Sequence, residues 1–357
     1  MQPSANPWIA QLNGYQPGKR HSGGHACPIK LSSNENPLGG PARIAQLIGN
    51  ATCDLGRYPD DASDELRAAL ATHSGVTADQ ILVGSGSSDI LTMVAKAYLA
   101  PGRVAVVSSY TFMLYALIAE GAGAAVRKVG SAGFGHDTAA LAAAAHDPAV
   151  RVLFIDNPCN PTGTYLNGDA LASLLAALPP QVLVVIDEAY AEYATQDDYR
   201  SCVGLTARYP NLLVVRTFSK AYGLAGIRLG YCIGAAELIA TLNRVRPPFN
   251  VSSLAGMVGL AALRDQGFVQ DSCAMNRRER ERVTATLDRL GLQPLDSAAN
   301  FIFFYADARA QDLAAALEQH GVLVRLLGAY PGYLRVTVGL PEENQRFLDV
   351  LQACLSA

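Results

Sequence analysis

At 357 residues, with 50% hydrophobic and 17% charged content, the chain has ample material for a core and suits two domains, or one large domain with an appendage. A net charge of −3 and a pI near 6.1 argue against a nucleic-acid partner, which asks for a basic footprint. No run of about 18 apolar residues marks a membrane span, and the start MQPSANPWIAQLNGYQPGKR lacks the charge and apolar stretch of a signal peptide, so a cytoplasmic protein without a membrane partner is expected.

Residues 1–31 are rich in Pro, Gly and polar residues and read as an irregular arm. KLSSNENPLGG (30–40) follows, with turn chemistry at Asn36-Pro37 and Gly39-Gly40, and then the loop GRYPD (56–60). Leu66 and Leu70 are spaced for a helix over 64–73. The middle of the chain alternates. Strands are predicted over 81–83, 103–107, 124–129, 150–156, 182–186, 212–215 and 227–233, and helices over 90–100, 112–120, 138–146 and 167–178. Such alternation implies an α/β domain with a largely parallel sheet flanked by helices, here over 32–246. At Arg246-Pro247-Pro248 the pattern changes to helices over 252–264 and 268–290, strands over 301–305, 322–325 and 333–339, a helix over 312–320 and a last helix from 342. This reads as a smaller α+β domain over 247–357, with the arm joining it. Seven cysteines, at 27, 53, 159, 202, 232, 273 and 354, form no CxxC pair, which fits reduced thiols and no metal centre.

The chemistry concentrates in TFSKAYGLAGIRLG (217–230). Lys220 follows the apolar run LLVV and is the one lysine after Lys128. Desolvation there lowers an ammonium pKa and makes the amine a nucleophile toward carbonyls. Arg228 supplies a fixed cation, and Thr217 and Ser219 supply hydroxyls. Together they suit an aldehyde that also carries a phosphate, such as pyridoxal 5'-phosphate, which its enzymes hold on a lysine. GSGSSD (84–89) follows a strand and opens a helix, so the backbone N–H groups at Gly86, Ser87 and Ser88 form an anion site; the third glycine of a dinucleotide fingerprint is absent. DEAY (187–190) ends a buried strand on Asp187, a carboxylate in need of a partner, and a protonated pyridine nitrogen would serve. NPCNPTG (157–163) is a turn stiffened by Pro158 and Pro161, with Cys159 as spacer. Lys220, Asp187, Asn160 and Ser87 all fall just after predicted strands, where open α/β sheets bind ligands.

SKAYGLAGIRLGY and NPCNPTG resemble the lysine segment and the NPxNPTG signature of the class I/II, fold-type I aminotransferases. The resemblance covers nearly the whole chain. It implies that Phe112 stacks on the pyridine ring and that Asn160 and Tyr190 reach its phenolic oxygen. It also implies that Arg335 clamps the substrate's anionic group, with Arg325, Tyr15 and Asn300 beside it, and that Tyr58 reaches the cofactor phosphate of a neighbouring subunit, hence a homodimer. The segments YQPGK, LSSNENPLG, GRYPD, ANFIFF and LRVTVGLPEEN point within the family to the histidinol-phosphate subgroup of histidine biosynthesis, with histidinol phosphate and glutamate or 2-oxoglutarate as substrates. An aromatic amino-acid aminotransferase, a decarboxylase of a phosphorylated amino acid and a non-catalytic module of the same fold are the competing readings. Ser85 and Ser88 stand where the family usually has Asn and Asp, and VRLLG (324–328) lacks the family's proline.

Overall fold

A computed structural model describes residues 3–15, 17–19, 27–50, 54, 56–131 and 133–356; Cys53 and part of the expected arm lie outside them. In chain order the elements are β1 (Ile29–Lys30), α1 (Ala42–Gly49), α2 (Asp64–Ser74), β2 (Ile81–Gly84), α3 (Ser87–Tyr98), β3 (Val104–Ser108), α4 (Leu114–Gly121), β4 (Ala125–Val129), α5 (Thr138–Ala145), β5 (Val150–Asp156), α6 (Gly168–Ala177), β6 (Leu183–Asp187), β7 (Leu212–Thr217), β8 (Gly230–Gly234), α7 (Ala236–Asn243), α8 (Ser253–Leu263) and α9 (Gln266–Arg289). The chain ends with β9 (Gln293–Pro294), β10 (Phe301–Tyr305), α10 (Ala310–Gln319), β11 (Val322–Leu323), β12 (Arg325–Leu326), β13 (Tyr333–Thr337) and α11 (Pro341–Ser356).

Among the described residues, seven strands form one sheet in the order β2-β8-β7-β6-β5-β3-β4. Its pairings are parallel except for those of β8, which runs antiparallel to both β2 and β7. The central strands are buried on both faces, as their unbroken Val/Ile/Leu runs require. Alternation sorts them. Val152, Phe154, Leu183, Val185, Leu213 and Val215 pack with Ile90, Val94, Tyr115 and Ile239 of α3, α4 and α7. Leu153, Ile155, Val184, Ile186, Leu212 and Val214 face the opposite layer, with Leu141 of α5 and Leu171 of α6. Extending the first series by one period of two puts Asp156, Asp187 and Thr217 on the α3/α4 face, at the C-terminal ends of three neighbouring strands.

A second sheet, β12-β13-β10-β9, is antiparallel and carries Arg335 on β13. The expected strand over 322–325 is two strands. Val322–Leu323 pairs in parallel with β1, and Arg325–Leu326 turns away to pair with β13. Leu31 packs with Val322, Val336 and Phe347 beside the second sheet, whereas Trp8 donates its indole N–H to the Gly121 carbonyl at 3.2 Å. The expected break at 246/247 does not coincide with a break in the core. Ala255, Val258, Ala262 and Leu263 of α8 pack with Leu66, Leu70, Leu229 and Tyr231 of the large sheet's side. Helices α1 and α7 were not anticipated. The strand expected over 227–233 begins only at Gly230, because Ala225–Ile227 forms a 3₁₀ turn and Arg228 takes a left-handed conformation, φ +58°.

Candidate active site

β7 delivers Lys220 to a turn in which Gly223 N–H donates to the Lys220 carbonyl at 2.9 Å. The amine reaches back to the segment after β1, donating to the carbonyl oxygens of Asn34 at 3.2 Å and Ser33 at 3.4 Å. Burial, then the positive charge of Arg335, pushes its pKa down to about 8. Such an amine is neutral in a usable fraction near neutrality, whereas an ordinary lysine is not.

Asp187 is buried at the end of β6. The hydroxyl of Tyr115 on α4 donates to one carboxylate oxygen at 2.9 Å, and the Ala189 N–H donates to the other at 3.1 Å. Both donors are neutral, and burial pushes the carboxyl up to about 7 despite them. The Asp156 carboxylate, its register partner on β5, raises it further. The pair favours a cation beside Asp187.

Tyr190 and Asn160 converge, with the Asn160 amide 3.5 Å from the Tyr190 hydroxyl. Asn34, also in a left-handed conformation, donates to that hydroxyl at 2.9 Å. Arg335, only 7% exposed, donates to the Asn160 side-chain oxygen and to the Ser32 carbonyl, the latter at 3.2 Å. Its guanidinium lies 5.1 Å over the Phe301 ring, and its Nε has no partner among the described residues. A cation on alternating β-branched residues is more often a surface group; here the sheet turns it inward, and burial lowers its pKa to about 10. Arg325 is its register partner on β12 and adds repulsive charge. Asn300 donates to the Asn34 carbonyl at 3.1 Å, and its side-chain oxygen is buried without a partner among the described residues. Phe112 is half-buried and meets the edges of Tyr115 and Tyr15, with centroids 5.7 and 6.5 Å away.

At the other end, α3 begins at Ser87 with Gly86 as its cap residue and no side-chain cap. The Arg228 guanidinium lies against Gly86 and donates to the Ser219 hydroxyl at 3.3 Å. The Thr217 hydroxyl accepts from the Ser219 N–H at 3.1 Å. Ser88 sits in the first turn and its carbonyl accepts from Thr92 at 2.9 Å. An open cleft beside Arg228 is lined by Ser85, Asn250, Phe249 and Tyr58. Tyr58 is 80% exposed and stacks on Phe249 at 4.4 Å between centroids. Helix terminus, guanidinium and hydroxyls make an anion cradle.

Sequence reasoning missed Asn34, Tyr115 and Asp156. Asp156 carried a signal, since it ends the apolar run of β5 as Asp187 ends that of β6; Tyr115, inside helix α4, carried none. Cys159 is fully buried with its thiol donating to the Tyr110 carbonyl at 3.4 Å, and burial raises its pKa well above the usual thiol value, which fits a spacer.

The family model described as aminotransferase class I and II matches residues 27–351. The chain belongs to this family. A histidinol-phosphate aminotransferase 1 from Cupriavidus pinatubonensis is 46% identical over 333 residues, covering 92% of this chain and 88% of that one. A histidinol-phosphate aminotransferase 2 from Pseudomonas aeruginosa is 44% identical over 361 residues, covering 99% and 98%. Among solved structures, histidinol-phosphate aminotransferase from Sinorhizobium meliloti in complex with pyridoxal-5'-phosphate matches with a TM-score of 0.90 over 98% of both chains, at 26% identity. The mostly parallel sheet flanked by helices is thus the aminotransferase fold.

Proposed function

We propose that the chain transfers an amino group between histidinol phosphate and 2-oxoglutarate, giving imidazole-acetol phosphate and glutamate, with pyridoxal 5'-phosphate as cofactor. The observation that carries this reading is Lys220, an amine lowered to about 8 and set among Asp187, Arg335 and Arg228. The residues fit the cofactor. The α3 terminus, Ser87, Ser88, Thr217, Ser219 and Arg228 would hold its phosphate, Asp187 its ring nitrogen, Asn160 and Tyr190 its phenolic oxygen, and Phe112 one ring face. When bound, the cofactor supplies an electron sink for the substrate carbon that bears the amine. Asp187 is suited to that task because its buried carboxylate is stabilised by a cation. Lys220 takes the proton from the amine-bearing carbon and returns it, a role that needs a base near the working pH.

Arg335, with Arg325, Asn300 and Tyr15, would receive the anion of either substrate, since a planar guanidinium forks onto carboxylate or phosphate alike. The relatives' shared name favours histidinol phosphate over the aromatic amino-acid, decarboxylase and non-catalytic readings. Among the described residues no helix is long and apolar enough to cross a membrane, and the described cysteines are free, which supports a reducing, cytoplasmic setting. The test is a panel of amine donors, each followed by the change in cofactor absorbance, in the parent chain and in Arg335→Leu. Histidinol phosphate and glutamate should convert the parent chain fastest. Arg335→Leu should cut kcat/KM in both half-reactions about ten- to a hundredfold, the weight of one charge-assisted hydrogen bond. Preference for an aromatic amino acid, or values within twofold of the parent chain in the variant, would sink this assignment.

A further inference from the structure

Asp156 closes β5 immediately before the NPCNPTG turn, and its carboxylate is engaged on several sides. The Thr111 hydroxyl donates to Oδ1 at 2.5 Å, and the backbone N–H groups of Phe112 and Asn160 donate to Oδ2 at 3.1 and 2.7 Å. His136 stands behind, its Nε2 2.9 Å from the Asp156 carbonyl oxygen and 3.6 Å from Oδ1. All of this is enclosed; Asp156 is 3% and His136 8% exposed. His136, Asp156 and Cys159 also bring metal-capable atoms within 4.8 Å of one another. The carboxylate, however, is already taken up by N–H and O–H donors, and the thiol by the Tyr110 carbonyl. A buried carboxylate is costly, and an apolar residue would fill the same space without that cost. What the carboxylate does that an apolar residue cannot is gather two separate loops, one after β3 and one after β5, through charge-assisted bonds to their backbones.

We propose that Asp156 is a positioning residue for the transamination: its carboxylate clamps Phe112 and Asn160 into one preset arrangement against the cofactor ring, with the Thr111 hydroxyl holding the carboxylate and His136 bound to the Asp156 backbone carbonyl. This rests on the reading that Phe112 and Asn160 face that ring.

The test uses the purified full chain. Asp156→Asn replaces one oxygen acceptor with an NH₂ donor. It should weaken pyridoxal phosphate binding about tenfold by equilibrium dialysis. It should also change the visible circular-dichroism band of the bound cofactor and lower kcat more than it raises KM, while the cofactor-free melting point shifts little. In a Phe112→Ala, Asn160→Ala background the same substitution should cost less than about twofold, because its route of action is gone. An unchanged affinity and band in Asp156→Asn, or a full tenfold loss in that background, overturns the proposal. If Asp156→Asn does not fold, Thr111→Val decides: folded, it must move the same band, and an unmoved band refutes the clamp. A parent chain that binds no pyridoxal phosphate refutes the functional reading itself, a result seen before any variant is made.

Discussion

Asp187 and Lys220 are displaced in opposite directions by the same cause. Burial pushes the carboxyl from 3.8 up to about 7 and the amine from 10.5 down to about 8. Both shifts disfavour the charged form, so each charge costs folding free energy. Between pH 4 and 7 the folded, cofactor-free chain keeps a proton on Asp187 that the unfolded chain has released, so this group's contribution falls as pH rises. Above about pH 7 the whole cost stands, on the order of 4 kcal/mol at most. For Lys220 the unfolded chain holds the extra proton between about 8 and 10.5, so stability rises with pH there. Cofactor-free Asp187→Asn should therefore melt several degrees above the parent chain at pH 8, match it near pH 4, and bind pyridoxal phosphate more weakly. A lower melting point at pH 8 would mean that Asp187 is already satisfied by the chain's own groups. Asp187 was conspicuous in the sequence because it ends the apolar run LVVI, and Lys220 because it follows LLVV as the one lysine after Lys128. Asn34 was not, since its importance lies in a left-handed backbone that carries its carbonyl to Lys220 and its amide to Tyr190, contacts 186 and 156 residues apart in the chain.

The strands with a strict apolar run were legible as elements, but their direction was not read from those runs. β8 is the instance. Between Thr217 and Gly230 the chain makes turns and no crossover helix, and a parallel return needs such a crossover. That missing helix was the available signal for an antiparallel strand. The split of 322–325 had none, because VLVRLL does not alternate and the change of partner at Val324 is set by β1 arriving from the far end of the chain. The opening of α3 reads in the sequence as an anion site, and the structure adds why Gly86 is there. Its φ is +84°, and a Cβ would run into the Arg228 guanidinium. Gly86→Ala should cost about 1–3 kcal/mol in stability through backbone strain. By displacing Arg228 it should also weaken pyridoxal phosphate more than it weakens the phosphate-free aldehyde pyridoxal. Equal losses for the two ligands, measured by dialysis, would remove α3 and Arg228 from phosphate binding.

At the scale of the whole molecule, the site is assembled from parts far apart in the chain: the segment after β1, the strand ends of the large sheet, and Arg335 on the small sheet, whose guanidinium ties to Asn160 and to the Ser32 carbonyl. One wall remains open. Tyr58 and Phe249 form an exposed aromatic pair at the rim of the Arg228 cleft, and exposed apolar rims beside a polar cleft are characteristic of surfaces that meet a partner. We propose a symmetric homodimer in which Tyr58 of one chain serves the phosphate site of the other. In this chain Tyr58 lines the same cleft as its own Arg228, so service within one chain and service across an interface must be separated by experiment. Two variants do so. Lys220→Ala disables the site of the chain that carries it, and borohydride should no longer fix the cofactor to that chain, as read by intact mass. Tyr58→Ala weakens whichever site Tyr58 serves. The two are unfolded together, refolded as a mixture and compared with each refolded alone, with sedimentation velocity confirming the dimer mass. If Tyr58 acts across the interface, each mixed dimer regains one complete site: Lys220 from one chain and Tyr58 from the other. The mixture then exceeds the mean activity of its two parents. If Tyr58 acts within its own chain, every intact Lys220 lies beside a missing Tyr58, and the mixture stays at that mean. A fully active monomer at working concentration would end the dimer proposal before the mixing is done.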